Sequence, residues 1–225
     1  MQTEITESVA RKVLQIVDAG LSKGMGNPKA GQMCVEAAVC FALDLPHGDD
    51  PACVSRALRS LKINLNDRDW SSKAARAKGL RRLAIAQLGS RDHLDDKEFV
   101  KRIAQLAIRT CVPQALRAAA SIHKDPMHVQ ALRAAADKCE REPTEKNSRE
   151  ARKAADAAYA AANAAAAAAA AAYAAAAANA AAAANAKKTA RDKSLADFAE
   201  GVVQILIEMK APGCQWLALT ELEAA

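Results

Sequence analysis

Apolar residues recur along this chain at helical rather than alternating spacing. Ile5, Val9, Val13, Ile16 and Val17 form one stripe that predicts a first helix over 4–19, with Gly20 as its stop. Residues 33–43 are apolar on nearly every side, with Glu36 the one charge, so the pattern predicts a central buried helix. Asp50-Pro51 reads as a cap followed by proline at a first helical position, starting a helix to Lys62. Ser71 reads as the cap of a helix over 72–88, closed by Gly89. Asp95 or Asp96 starts a helix to Cys111, and Pro113 and Pro126 open two shorter ones over 113–122 and 126–139.

After Pro143 the pattern changes. Residues 148–188 are dominated by alanine, the strongest helix former, and predict one helix roughly 60 Å long. Tyr159 and Tyr173 lie close to four turns apart within it and face one way. A final stripe (Leu195, Phe198, Val202, Ile205, Leu206 and Met209) predicts an amphipathic helix over 195–210 that Pro212-Gly213 ends. The expected fold is all-α. It has a compact multi-helix domain over 1–142 and an alanine-rich helix with a C-terminal helix over 143–225. The alanine tract is expected to gather copies of the chain through residues 148–210, since a long exposed alanine surface associates.

Composition adds little to this picture except through charge. Aromatic residues make up 3% of the chain, which agrees with helix over sheet. The formal charge of +6 is uneven: residues 56–91 hold ten basic side chains against Asp67 and Asp69, an excess of eight. Such an excess attracts phosphate. The six cysteines form no CxxC pair and sit in apolar stretches, which reads as reduced and buried in a cytoplasmic protein. Nothing opens the chain as a charged-then-apolar signal would, and the alanine run is too weakly hydrophobic for a membrane span.

The candidate chemistry centres on 23–32, Lys-Gly-Met-Gly-Asn-Pro-Lys-Ala-Gly-Gln, a glycine loop leading into the buried helix. Glycines before a helix start leave backbone N–H groups for an anion. The loop is neither a Walker A motif nor a GxGxxG after a strand. Short connections should bring the end of the 51–62 helix and the start of the 72–88 helix to the same place. Lys23, Gly24, Gly26, Lys29, Gly31, Gln32, Arg59, Ser71, Ser72 and Arg76 then form a phosphate site beside Trp70, whose indole would stack a base. The alternative is a thiol hydrolase: Cys34 at a helix N-terminus with Glu36 two residues on, needing a histidine. His47, past the far end of the same helix, should lie roughly 17 Å away. Glu36 should otherwise pair with an arginine of the basic region. His123 and His128, five apart across a proline, complete no recognised metal spacing, and no cofactor is implied. Polymeric nucleic acid is a weaker alternative, because alanines fill the polar positions of the basic helix and no helix-turn-helix string is present.

Gly31-Gln32-Met33-Cys34-Val35-Glu36-Ala37-Ala38-Val39, followed by Leu45-Pro46-His47-Gly48-Asp49 and Trp70-Ser71-Ser72, resembles an uncharacterised all-helical family of tailed phages and their bacterial hosts. The resemblance covers roughly residues 20–90 and implies no activity. In general character the chain is also similar to phage counter-defence sponges, small oligomers that sequester nucleotide signals without catalysis. That similarity implies capture of a small phosphate-bearing nucleotide by a helical homo-oligomer in the host cytoplasm.

Overall fold

The computed structural model describes residues 5–169 and 180–221, the side chains of 161–169 and 180–187 excepted. Every helix or strand element among them is helical, and the extended pairing present is an isolated bridge between Gly26 and Met33. Compactness divides the chain into Met1–Lys101 with Lys187–Ala225, and Arg102–Ala186. The sequence expectation placed its division at 142 instead. The C-terminal helix belongs with the N-terminal ones because its charges and apolar face are matched there.

In the first unit, α1 (Glu7–Asp18), α2 (Val35–Ala42), α3 (Arg56–Asn66) and α4 (Lys73–Ala86) pack with a 3-10 segment, Pro212–Thr220. The α1 stripe falls as expected, with Val13, Leu14, Ile16 and Val17 buried. All but one residue of α2 is buried, so the helix without a polar face is the core helix. α4 packs on α1, α2 and the 3-10 segment. Val202, Val203 and Leu206, on the late turns of α8 (Ala180–Glu208), are fully buried.

Two starts differ from expectation. α3 begins at Arg56, capped by Ser55, whose hydroxyl accepts from Leu58 N–H and donates to Asp96. Asp50, the expected cap, faces Arg59 instead, as does Asp49 of the preceding turn. α4 is capped by Ser72, which accepts from Ala75 N–H, while Ser71 bonds Asp192 through its hydroxyl and its N–H.

In the second unit, α5 (Asp96–Ile122, shared with the first unit up to Lys101), α6 (Pro126–Arg141) and α7 (Glu145–Ala169) meet on one cluster. Leu116 and Ala120 of α5, Leu132, Ala136 and Cys139 of α6, and Ala151 and Ala158 of α7 form it. α5 continues through Pro113, where two helices were expected. An internal proline costs roughly 3 kcal/mol. Burial of Leu116 and Ala120 just beyond it, with Ile108 and Val112 partly buried before it, offsets that cost. Arg117 ties α5 to Asp137 and Glu140, and Lys138 ties α6 to Glu150.

The alanine tract is helical on both sides, to Ala169 and from Ala180. Continuity of the expected 148–188 helix, and the place of Tyr173, lie outside the described residues.

Candidate functional site

The expected convergence is present. Leu21 N–H donates to the Lys73 carbonyl, Lys73 Nζ to the Gly31 carbonyl, Gly24 N–H to Asp67, and Val35 N–H to Asn66. The glycine loop, the start of α2, the end of α3 and the start of α4 therefore meet at one end of the unit. The loop is a tight hairpin: Cys34 N–H donates to the Met25 carbonyl and Asn27 N–H to the Gln32 carbonyl. Gly26 has to be glycine there. Its φ is +70°, and a Cβ would stand 1.9 Å from the Gln32 carbonyl oxygen.

The convergence is spent on the fold, however. At the α2 start, Val35 N–H goes to Asn66, Ala37 N–H to Cys34 Sγ and Ala38 N–H to the Cys34 carbonyl. Gln32 and Cys34 N–H, expected to hold phosphate, donate to the Lys29 and Met25 carbonyls. A helix start with its donors taken has little left for an anion.

Trp70 is buried rather than offered to a base. Its Nε1 donates to the Leu65 carbonyl, and its ring lies against Gly79, where a Cβ would meet it at 2.4 Å. Arg76 is buried too, donating to the Asn66 and Leu21 carbonyls. Arg59 holds the Asp49 carbonyl and carboxylate, both at 2.6 Å. Of the expected set, Lys23, Lys29, Gly24, Gly26, Gly31 and Gln32 stay together at the loop; Lys29 is exposed and Lys23 meets Asp69 at 3.5 Å.

Part of the local basic excess has the same explanation. Arg81 clasps Asp18 and the Thr220 carbonyl, and Arg82 reaches Glu200 and Glu221. The matching acids come from α1, α8 and the chain end, all distant in sequence.

No family model, curated protein or solved structure matches the chain. The chemistry of the site therefore rests on its own geometry.

Around Cys34 that geometry differs from the expectation. Asp44, at φ 55°, and the Leu45 N–H bond to the Cys40 carbonyl reverse the chain after α2. His47 comes back to the loop end, its Nε2 2.9 Å from the Gly26 carbonyl, instead of lying beyond the far end of α2. Yet burial raises the Cys34 thiol above its ordinary value, which favours the protonated form and opposes nucleophilic use. Burial likewise raises Cys53, and Cys40 to about 11. Not all six cysteines are buried, as had been expected: Cys111 is exposed and Cys214 partly so. Under native conditions a thiol reagent such as DTNB should label Cys111 first, leaving Cys34, Cys40, Cys53 and Cys139 unlabelled until the protein is denatured. Rapid native labelling of Cys34 would restore the hydrolase reading.

Glu36 pairs with Lys62 rather than with an arginine. Both are wholly buried and approach to 3.3 Å, without the alignment of a hydrogen bond. Burial raises the Glu36 carboxyl and lowers the Lys62 amine, so both lean toward neutrality. The sequence brings Lys62 to the loop end with Arg59 but does not mark it as the partner of Glu36, because nothing local distinguishes it from the other nine cations of 56–91. Among the described residues no group of histidine, cysteine and carboxylate side chains is placed to hold a metal ion. No described helix is long and apolar enough to cross a membrane.

Proposed function

We propose that this chain is a non-catalytic assembly protein whose copies associate through the α5–α7 unit and the alanine-rich helix that leaves it. The observation that carries this reading is an apolar group at one end of that unit. Ile122, Met127 and Tyr159 are 83%, 68% and 70% exposed. His123, next to Ile122, bonds the Ala158 carbonyl beside Tyr159 and stacks edge-on against His128, next to Met127. Large apolar side chains gathered this way mark an interaction surface.

The occupant is a second copy. The alanine tract departs beside this group, and its small side chains let another helix approach closely along its length. One long helix over 148–188 is part of this proposal. Replacing Ile122 and Met127 together with glutamate should weaken self-association while leaving the far-ultraviolet circular dichroism unchanged. Sedimentation velocity over a range of concentrations reads the difference; unaltered association in that variant would discard the patch.

A second reading, capture of a small phosphate-bearing nucleotide, is favoured by the loop-end convergence with Lys23 and Lys29 on its exposed side. It no longer has an indole for stacking, or Arg76. Incubating the protein with a panel of cyclic and ADP-ribose-type nucleotides, then denaturing it, tests this reading. Intact ligand returned supports it, and no retained ligand ends it.

A further inference from the structure

Three residues, His123 to Asp125, join α5 to α6, between the exposed Ile122 and the first turn of α6 that carries Met127. His123 is engaged at both ring nitrogens. Asp125 N–H points at Nδ1 from 3.1 Å, and Nε2 stands 3.1 Å from the Ala158 carbonyl of α7. A backbone N–H only donates and a carbonyl only accepts. The two partners therefore assign the ring: Nδ1 is bare and Nε2 carries the hydrogen. Only the neutral imidazole fits both. A proton on Nδ1 would face the Asp125 N–H, and that bond would have to open.

The charged and titratable groups around the ring are few. The turn itself holds Lys124 and Asp125, of opposite sign, and the Asp125 carboxylate already receives Met127 N–H. On α6 stands His128, half-buried like His123, with the ring centroids 5.1 Å apart. On α7 Tyr159 adjoins Ala158, and Arg152, Lys153 and Asp156 precede it, Arg152 reaching toward Asp156. The last turn of α5, Ala118 to Ile122, has none, and Arg117 before it is held by Asp137 and Glu140.

We propose that His123, with His128 beside it, makes self-association pH-sensitive: copies associate while the rings are neutral and separate once they are protonated. The proposal rests on the assembly reading above. Protonation acts in two ways. It opens the turn that places Ile122 beside Met127, and it puts charge into an apolar surface that a second copy would cover. Covering a charge without a partner is costly.

Sedimentation velocity of the full chain at about pH 8 and about pH 5.5 tests this, on either side of the interval in which histidines ordinarily titrate. The dissociation constant should rise by about tenfold or more at the lower pH, with the far-ultraviolet circular dichroism unchanged. His123→Gln with His128→Gln has no titrating ring, and a Gln amide can still donate to the Ala158 carbonyl. That variant should lose the pH response. In the parent, two-bond proton–nitrogen NMR should show His123 with its hydrogen on Nε2, and ring protonation should track dissociation across the same pH steps. A single chain at both pH values would end the assembly reading and the switch together. Equal association at both, a double variant that keeps the parent's pH response, His123 with its hydrogen on Nδ1, or dissociation that does not follow ring protonation overturns the switch alone.

Discussion

Lys62→Met should destabilise the protein by about 3–5 kcal/mol, because it leaves Glu36 as a buried carboxylate without a counter-charge. Replacing both residues by apolar ones of similar size, Glu36→Leu with Lys62→Met, should recover most of that loss and can exceed the parent. The pH dependence separates this explanation from simple loss of packing. Burial already raises the Glu36 carboxyl in the folded state. A folded value above the unfolded one means the protonated form is favoured by folding. The stability contributed by proton binding is then fully present below the unfolded carboxyl value and is lost as pH rises through the folded one. The Lys62→Met defect should therefore shrink as pH falls through that window.

The opposite slope is expected for Glu36→Leu, which leaves the amine. Burial lowers Lys62, so its stability contribution is present above the unfolded lysine value and is lost as pH falls through the folded one. Its defect should shrink as pH rises. Urea denaturation of both variants at several pH values measures this. Parallel pH slopes would show that charge is not the cause.

Trp70→Ala should cost about 3–5 kcal/mol, the loss expected for a large buried aromatic with a satisfied Nε1. The indole seats α4 through Gly79 and, beyond it, Ala196 of α8, so the cavity opens between elements that depend on one another. Denaturant unfolding gives the number. If Trp70 were instead a base-stacking surface, its removal would leave stability within a few tenths of a kcal/mol and lower only ligand binding.

How far the sequence carried these conclusions can be traced residue by residue. The stripes of α1 and late α8, and the uniformly apolar α2, name their own buried faces because burial is written in helical periodicity. The meeting of the glycine loop with α2, α3 and α4 followed from short connections alone. The filling of that meeting place did not. Glu200 and Glu221 lie more than a hundred residues from Arg82, which they meet, and Asp192 as far from Ser71, so a local count of charge made α4 look available to phosphate. Trp70 and Arg76 look exposed in a polar stretch, and only Gly79 hints that something flat packs there. Pro113 reads as a break because its local penalty is visible and the packing of Leu116 that offsets it is not. His47 was placed by helix rise, which ignores the reversal that Asp44 makes with its positive φ.

The central claim is assembly, and the mass of the purified chain in solution tests it most directly. Light scattering should return a multiple of the 23.7 kDa chain, and Ile122→Glu with Met127→Glu should move that mass toward a single chain. A mass of one chain for the unaltered protein at every concentration measured would contradict the account.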